Sequence, residues 1–246
     1  MSTNMLVAML QNTPPKEVDV TKLPAVSSLS GSLADRIYVA LKTAILRLDF
    51  LPGSMIRKSA ICEQLGVSRS PVSDALAKLS GEGLVDIVPQ SGTRVSRLSI
   101  AAIREDAFFR EALEVAAAGH AALHRSDETM ARLARNIEMQ KLLIADADTQ
   151  DFIRTDTEMH ELIMAVIDMP RLPAMVRMLS SHVDRARQLL VPEPGRLTET
   201  VEEHIDLVAA IRAQDAARAE AAMRHHVRQL TKRLEPLEAA RPDLFT

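Results

Sequence analysis

Leu65-Gly66-Val67-Ser68-Arg69-Ser70-Pro71-Val72 is the stretch on which the reading of this chain turns. Before it, Ser59 to Leu65 has the composition of a short helix, and Gly66 is the residue that stops one. After it, Val72, Ala75, Leu76 and Leu79 fall at i, i+3, i+4 and i+7, which predicts a second helix with one apolar face. Pro71 is tolerated only in that helix's first turn, so Ser68 or Ser70 is the natural N-cap. Arg69, Ser70, Ser73 and Ala77 then face outward. Working upstream, Ser32-Leu33-Ala34-Asp35 resembles a capping box and opens a helix with Leu33, Ile37, Leu41, Ile45 and Leu48 on one side. Working downstream, Leu84 to Val88, the turn Pro89-Gln90-Ser91-Gly92 and Thr93 to Val95 read as strand, turn, strand. Helix, glycine turn, polar-tipped helix and glycine-tipped hairpin, in that order, predict a winged helix-turn-helix over residues 32–98.

Such a module presents the start of its second helix to the edges of bases in the major groove of double-stranded DNA. Arg69 is placed to donate two hydrogen bonds to guanine or to pair with phosphate. Ser68 and Ser70 can donate to phosphate oxygens at the positive helix end, with Ser73 one turn on. At the wing tip Gly92 permits close backbone approach, with Thr93 and Arg94 beside it. From Leu33 to Ser99 basic residues outnumber acidic ones, while the whole chain carries a formal net charge of −3, so positive charge is concentrated in this segment. The bland alternative is a helical hairpin and a β-turn with a solvated polar face.

The chain of 246 residues has room for two modest domains. Hydrophobic residues at 47% can build real cores, and aromatics at 2% with no Trp make those cores aliphatic and favour helices. The expected fold is mainly α, a winged helix-turn-helix followed by an all-α antiparallel bundle. Residues 1–31 lack helical periodicity and read as a flexible arm. Residues 99–238 read as six helices near 99–124, 127–146, 150–168, 171–190, 198–213 and 215–235, and residues 239–246 as a C-terminal tail. The lone Cys62 excludes an intrachain disulfide and fits a reducing cytoplasm. No run approaches the ~18 apolar residues of a membrane span, so no membrane association is expected.

A second constellation lies in the bundle. Asp156 and His160, spaced i, i+4, share one helix face and can share a metal. His204 lies on the next-to-last helix and the pair His225-His226 on the last, so each antiparallel helix can bring one further imidazole to the same interior point. One carboxylate and three imidazoles suit zinc, nickel, manganese or iron, with positions left for water or a ligand carboxylate. The competing reading for each histidine alone is a surface or hydrogen-bonded core residue.

The segment from the first helix to the wing resembles the GntR family, through Leu65 to Val72, Leu79, Gly83-Leu84-Val85, Pro89 and Gly92-Thr93-Arg94-Val95. The resemblance implies DNA contacts by Ser68, Arg69, Ser70 and Gly92. Where that family usually has Arg-Glu after the Pro-Val pair, this chain has Ser73-Asp74, which implies a weaker set of major-groove contacts. Residues 100–235 resemble the FCD ligand-binding domain of the FadR subgroup, through Arg110-Glu111-Ala112-Leu113-Glu114, Asp156-Thr157-Glu158-Met159-His160, and Glu203-His204 with Asp215, Ala219 and Met223-Arg224-His225-His226. Carried over, Asp156, His160, His204 and His226 are the metal ligands and His225 is a non-ligand neighbour. Arg110 corresponds to an arginine that commonly faces the effector pocket. Its side chain has two readings, a clamp for a small carboxylate effector or a salt bridge to Glu114 or another helix.

The function expected from these features is sequence-specific transcription regulation, as a repressor in the commonest pattern of that family. A homodimer would contact a near-palindromic operator, under control of a small organic acid bound at the metal site. Two rivals carry different expectations. A metal-dependent enzyme with a DNA-localising module needs a general base beside the ligands. Glu158 and Glu203 are close in sequence, but Glu158 lies ~160–200° around the helix from Asp156 and His160. A nonspecific architectural DNA protein sits poorly with the net negative charge. An enzyme is therefore not expected.

Overall fold

The computed structural model describes residues 17–190 and 195–246, which form two compact units. One contains residues 17–100 together with Glu238–Thr246; the other contains Ala101–Leu237. Most of the expected N-terminal arm, residues 1–16, lies outside the described residues. Residues 17–28 make two short 3-10 turns, Val20–Lys22 and Val26–Ser28, and Val18, Val20, Leu23 and Val26 pack against the core of the first unit.

In that unit α1 (Leu33–Leu46) starts at Ser32, whose hydroxyl accepts from the Asp35 amide as the capping pattern requires. Helix α2 (Lys58–Leu65) ends at Gly66, which adopts the left-handed conformation at φ 64° that a side chain would disfavour. Helix α3 (Arg69–Gly81) buries Val72, Ala75, Leu76 and Leu79, all four residues of the apolar stripe. These meet Ile37, Leu41 and Ile45 of α1 and Ile61 of α2 in one core. A short strand β1 (Met55–Ile56) joins β2 (Val85–Val88) and β3 (Gly92–Val95) in an antiparallel sheet of order β1-β3-β2, with Ile56 opposite Thr93 and Ile87 opposite Thr93 on the other side. β1 was not expected, because two residues show no alternation to read.

The C-terminal residues return to this unit. Leu98 donates its amide to the Leu244 carbonyl and accepts from the Thr246 amide, both at 2.9 Å, and Leu244 and Phe245 are buried.

The second unit is helical: α4 (Ile100–His124), α5 (Asp127–Ala145), α6 (Thr149–Met164), α7 (Leu172–Met178), α8 (Ser181–Leu190), α9 (Arg196–Arg212) and α10 (Ala216–Ala240). Its core is aliphatic, with Phe152 the one buried aromatic ring among the described residues of the cluster. The helix expected over 171–190 is divided into α7 and α8. The Ser180 hydroxyl turns back to the Val176 carbonyl at 2.6 Å, and the Asp106 carboxylate of α4 accepts the His182 amide at 3.2 Å, so a second helix start is capped from outside. The last helix runs past 235, with Pro236 inside it at the loss of one backbone bond. Among the described residues, no helix is long and apolar enough to cross a membrane.

Candidate metal centre and DNA-reading surface

The buried stripe of α6 runs through Phe152, Thr155, Asp156, Met159, His160 and Ile163, so the same periodicity that packs the helix turns Asp156 and His160 inward. The buried face of α9 carries His204 between Val201 and Leu207, and that of α10 carries His226 between Met223 and Val227. His225 faces out and is bonded to Gln229 at 3.0 Å. Asp156, His160, His204 and His226 are brought together, with one ligand atom from each lying within 4.8 Å of all the others.

The arrangement inside that cluster is specific. His226 Nε2 lies 3.2 Å from His160 Nε2 and 3.4 Å from His204 Nε2, and Asp156 Oδ1 lies 3.5 Å from His204 Nε2. Each ring turns its other nitrogen to an acceptor. His204 Nδ1 is 2.8 Å from Gln140 Oε1 and His226 Nδ1 is 2.6 Å from Glu203 Oε2. His160 Nδ1 is 2.6 Å from Glu114 Oε2, an ion-pair contact without the alignment of a hydrogen bond. The Gln140 amide is itself fixed, since its Nε2 donates to Asn136 Oδ1 at 2.7 Å and Asn136 Nδ2 donates to the Thr155 carbonyl at 2.9 Å. Acceptors beside all three Nδ1 atoms favour the tautomer protonated there. Three Nε2 lone pairs then face one another and a carboxylate in a buried space. That is repulsive unless a cation sits among them, and carboxylate-backed imidazoles are the usual outer support of a metal centre. The residues fit a divalent transition metal.

Electrostatics agree with this arrangement. Burial pushes the Asp156 carboxyl up, but Arg187 and then the three imidazoles outweigh it and hold it well below the carboxylate range. Burial acts likewise on Glu114, and Arg110 with His160 outweighs it. Burial and the neighbouring His226 drive His204 well below the ordinary imidazole value of 6.5, and burial lowers His226 against the opposing Glu203. An imidazole with a lowered folded-state pKa contributes stability above its unfolded value and loses it as pH falls toward the folded one. In the metal-free protein, the melting temperature of the helical unit, followed by circular dichroism, is therefore expected to fall as pH drops below 6.5.

A cavity of about 60 Å³ adjoins the cluster, lined by Asp156 and His226, by Arg110, Arg187 and Arg196, and by an apolar wall including Phe152 and Leu230. Arg110 is tied to Glu114, through Nε at 2.5 Å and Nη2 at 3.4 Å, while also bordering the cavity. The salt-bridge reading of Arg110 is thus the contact present. Arg187 donates to Asp156 Oδ2, and Arg196 donates to Glu203 Oε1 at 3.0 Å. Sequence reasoning had no signal for Gln140 or Arg187, which lie on helices that carry no ligand, or for Arg196, which opens the helix of His204 two turns before it. Glu203 it weighed only as a base. Glu158 points away and pairs with Arg154 at 2.8 Å.

In the first unit Ser68 is the N-cap of α3 without a side-chain capping bond, so its hydroxyl is not used inside the helix. Arg69 and Ser70 are exposed in the first turn and Ser73 is half-buried. At the wing Gly92 is exposed with φ 99° and open space where a Cβ would stand. Two expected contacts are placed differently. Thr93 is 5% exposed, because β3 is the central strand and turns it inward. The Arg94 guanidinium donates to the Gly53 carbonyl at 3.1 Å.

Comparison with known proteins follows the two units. The description "Bacterial regulatory proteins, gntR family" matches residues 33–95 and "FCD domain" matches residues 107–229. The chain is 27% identical over 211 residues to the HTH-type transcriptional repressor RspR of Escherichia coli K12, covering 86% of this chain and 92% of that protein. It is 30% identical over 209 residues to an uncharacterized HTH-type transcriptional regulator in an unstable DNA locus of Streptomyces ambofaciens, covering 85% and 88%. Among solved structures, Escherichia coli McbR/YncC shares the fold at a TM-score of 0.72 and 22% identity, covering 85% of this chain and 99% of that one.

Proposed function

The chain belongs to the GntR family of bacterial regulatory proteins and carries an FCD domain, so it is a DNA-binding transcriptional regulator and not an enzyme, and we propose that it is a metal-dependent repressor of the FadR subgroup. Asp156, His160, His204 and His226 hold a divalent transition metal, zinc, nickel, manganese or iron, whose role is to offer a coordination position to an organic acid entering the adjoining cavity. Ser68, Arg69, Ser70, Ser73 and Gly92 form the DNA-facing set, Thr93 supports the wing from inside the sheet, and Arg94 braces the wing against the Gly53 carbonyl. A cytoplasmic homodimer contacts a near-palindromic operator, and the acid shifts the balance between arrangements that bind the operator well and poorly.

The observation that carries this reading is the convergence of three Nε2 atoms and a carboxylate, each imidazole backed at Nδ1, beside a cavity lined by arginines. The test is metal analysis of the purified protein, followed by gel-shift titration of DNA from its own promoter region with the metal-loaded and the chelator-stripped forms. Near-stoichiometric metal and metal-dependent operator affinity are expected. Binding of no DNA fragment by the intact protein would contradict the operator assignment, and absence of retained metal would contradict the metal assignment.

A further inference from the structure

Three arginines border the cavity, and they are not equivalent. Arg110 spends Nε and Nη2 on Glu114, with its side chain 10% exposed. Arg196 directs Nη1 at Glu203, with Glu199 a further 3.6 Å contact of the same atom. Arg187, on α8, donates through Nη2 to Asp156 Oδ2, the carboxylate oxygen opposite the one that faces His204 Nε2. Among the described residues its Nη1 has only Asp184 Oδ1 at 3.8 Å, beyond hydrogen-bond length. Arg187 also borders a second, smaller cavity of about 30 Å³ on the side of Glu114 and His160.

Both oxygens of Asp156 face the imidazole cluster, Oδ1 at 3.5 Å from His204 Nε2 and Oδ2 at 3.9 Å from His160 Nε2, and Oδ2 in addition accepts from Arg187. A guanidinium has five N–H donors in a planar fork matched to a carboxylate, and among the described residues the one beside Asp156 has donors left over. An anion entering the cavity meets Asp156, His226 and Arg187 together, because all three line it. We propose that Arg187, rather than Arg110, is the specificity-determining residue of the cavity: it holds the metal-ligand carboxylate Asp156 in place with one nitrogen and takes the carboxylate of the bound acid with the other.

The occupant's class follows from the rest of the wall. Beyond the three arginines, Asp156 and His226, it consists of Phe152, Ile153, Leu190, Leu197, Val227 and Leu230, with Thr200 its one further polar side chain among the described residues. The ligand is a carboxylate whose remaining part is apolar and small, and carboxylate recognition through Arg187 excludes an uncharged isostere. This inference rests on the metal-site reading above, and the experiment separates the two.

Cobalt is loaded into the full-length protein as a visible probe of the metal, and acetate, the minimal carboxylate, is titrated against its absorption spectrum. The wild type, Arg187→Met, Arg187→Lys and Arg110→Met are compared. The acetate midpoint is expected to rise roughly tenfold or more in Arg187→Met, the loss of one charge-assisted hydrogen bond, with a smaller rise in Arg187→Lys and little change in Arg110→Met. Acetamide is expected to leave the spectrum unchanged. Equal midpoints in wild type and Arg187→Met would overturn the assignment while leaving the metal site standing. So would a cobalt spectrum of the wild type that acetate does not perturb. Failure of the wild type to bind cobalt would instead sink the metal reading itself.

Discussion

Replacing His204 with alanine is expected to reduce divalent-metal affinity by more than about 100-fold, the largest single-residue effect in the helical unit. Loss of an outer partner of a metal-bound histidine costs ~10–100-fold, and loss of the ligand itself removes both the metal bond and the reason for the surrounding order. His204 is fully buried, its Nδ1 faces Gln140 and its Nε2 faces Asp156 and His226, so no neighbour can replace it. Asp156→Ala should behave similarly, whereas His225→Ala, one residue from His226 but exposed, should retain metal. Metal content after dialysis against a weak chelator reads the outcome, with circular dichroism to separate lost affinity from lost fold. Full metal retention in both His204→Ala and Asp156→Ala would remove the site.

Arg69→Ala is expected to weaken operator binding roughly tenfold or more, since a bidentate arginine–guanine contact is worth ~1–3 kcal/mol. Its weight is raised by what surrounds it. Ser73 stands where a second recognition-helix arginine would be, Thr93 is turned into the sheet, and Arg94 is engaged with the Gly53 carbonyl. Fewer groups are left to share the contact. Arg69 is exposed at the first position of α3 and takes no part in the core formed by Val72, Ala75, Leu76 and Leu79, so the substitution should leave the melting temperature unchanged. Gel-shift or fluorescence anisotropy at fixed salt measures the change. An unaltered affinity would shift the reading of bases to the wing.

The DNA-reading unit was legible almost residue by residue, because its signals are local. A glycine that stops a helix, a proline confined to a first turn and a stripe at i, i+3, i+4 and i+7 act over one or two turns of chain. Gly66, Pro71 and the four buried residues of α3 stand where those rules put them. Local rules failed where another part of the chain intervened. The break between α7 and α8 depends on Asp106, more than seventy residues upstream, and β1 exists only because β3 offers it partners.

Sequence by itself determined the family, the order of helix, turn, helix and wing, and four residues with the chemistry to bind a metal. Only the tertiary structure decided what surrounds those four. Helical spacing states which face a side chain occupies, and Asp156 and His160 were paired on that ground. It does not state which side chain from another helix will meet that face. Gln140, Glu203 and Glu114 came to rest against three imidazoles, and Arg187 against Asp156, through the packing of α4, α5, α6, α8, α9 and α10 against one another. An acceptor stands beside each Nδ1, favouring a proton there and a lone pair aimed inward at each Nε2, through contacts between residues that no sequence spacing relates.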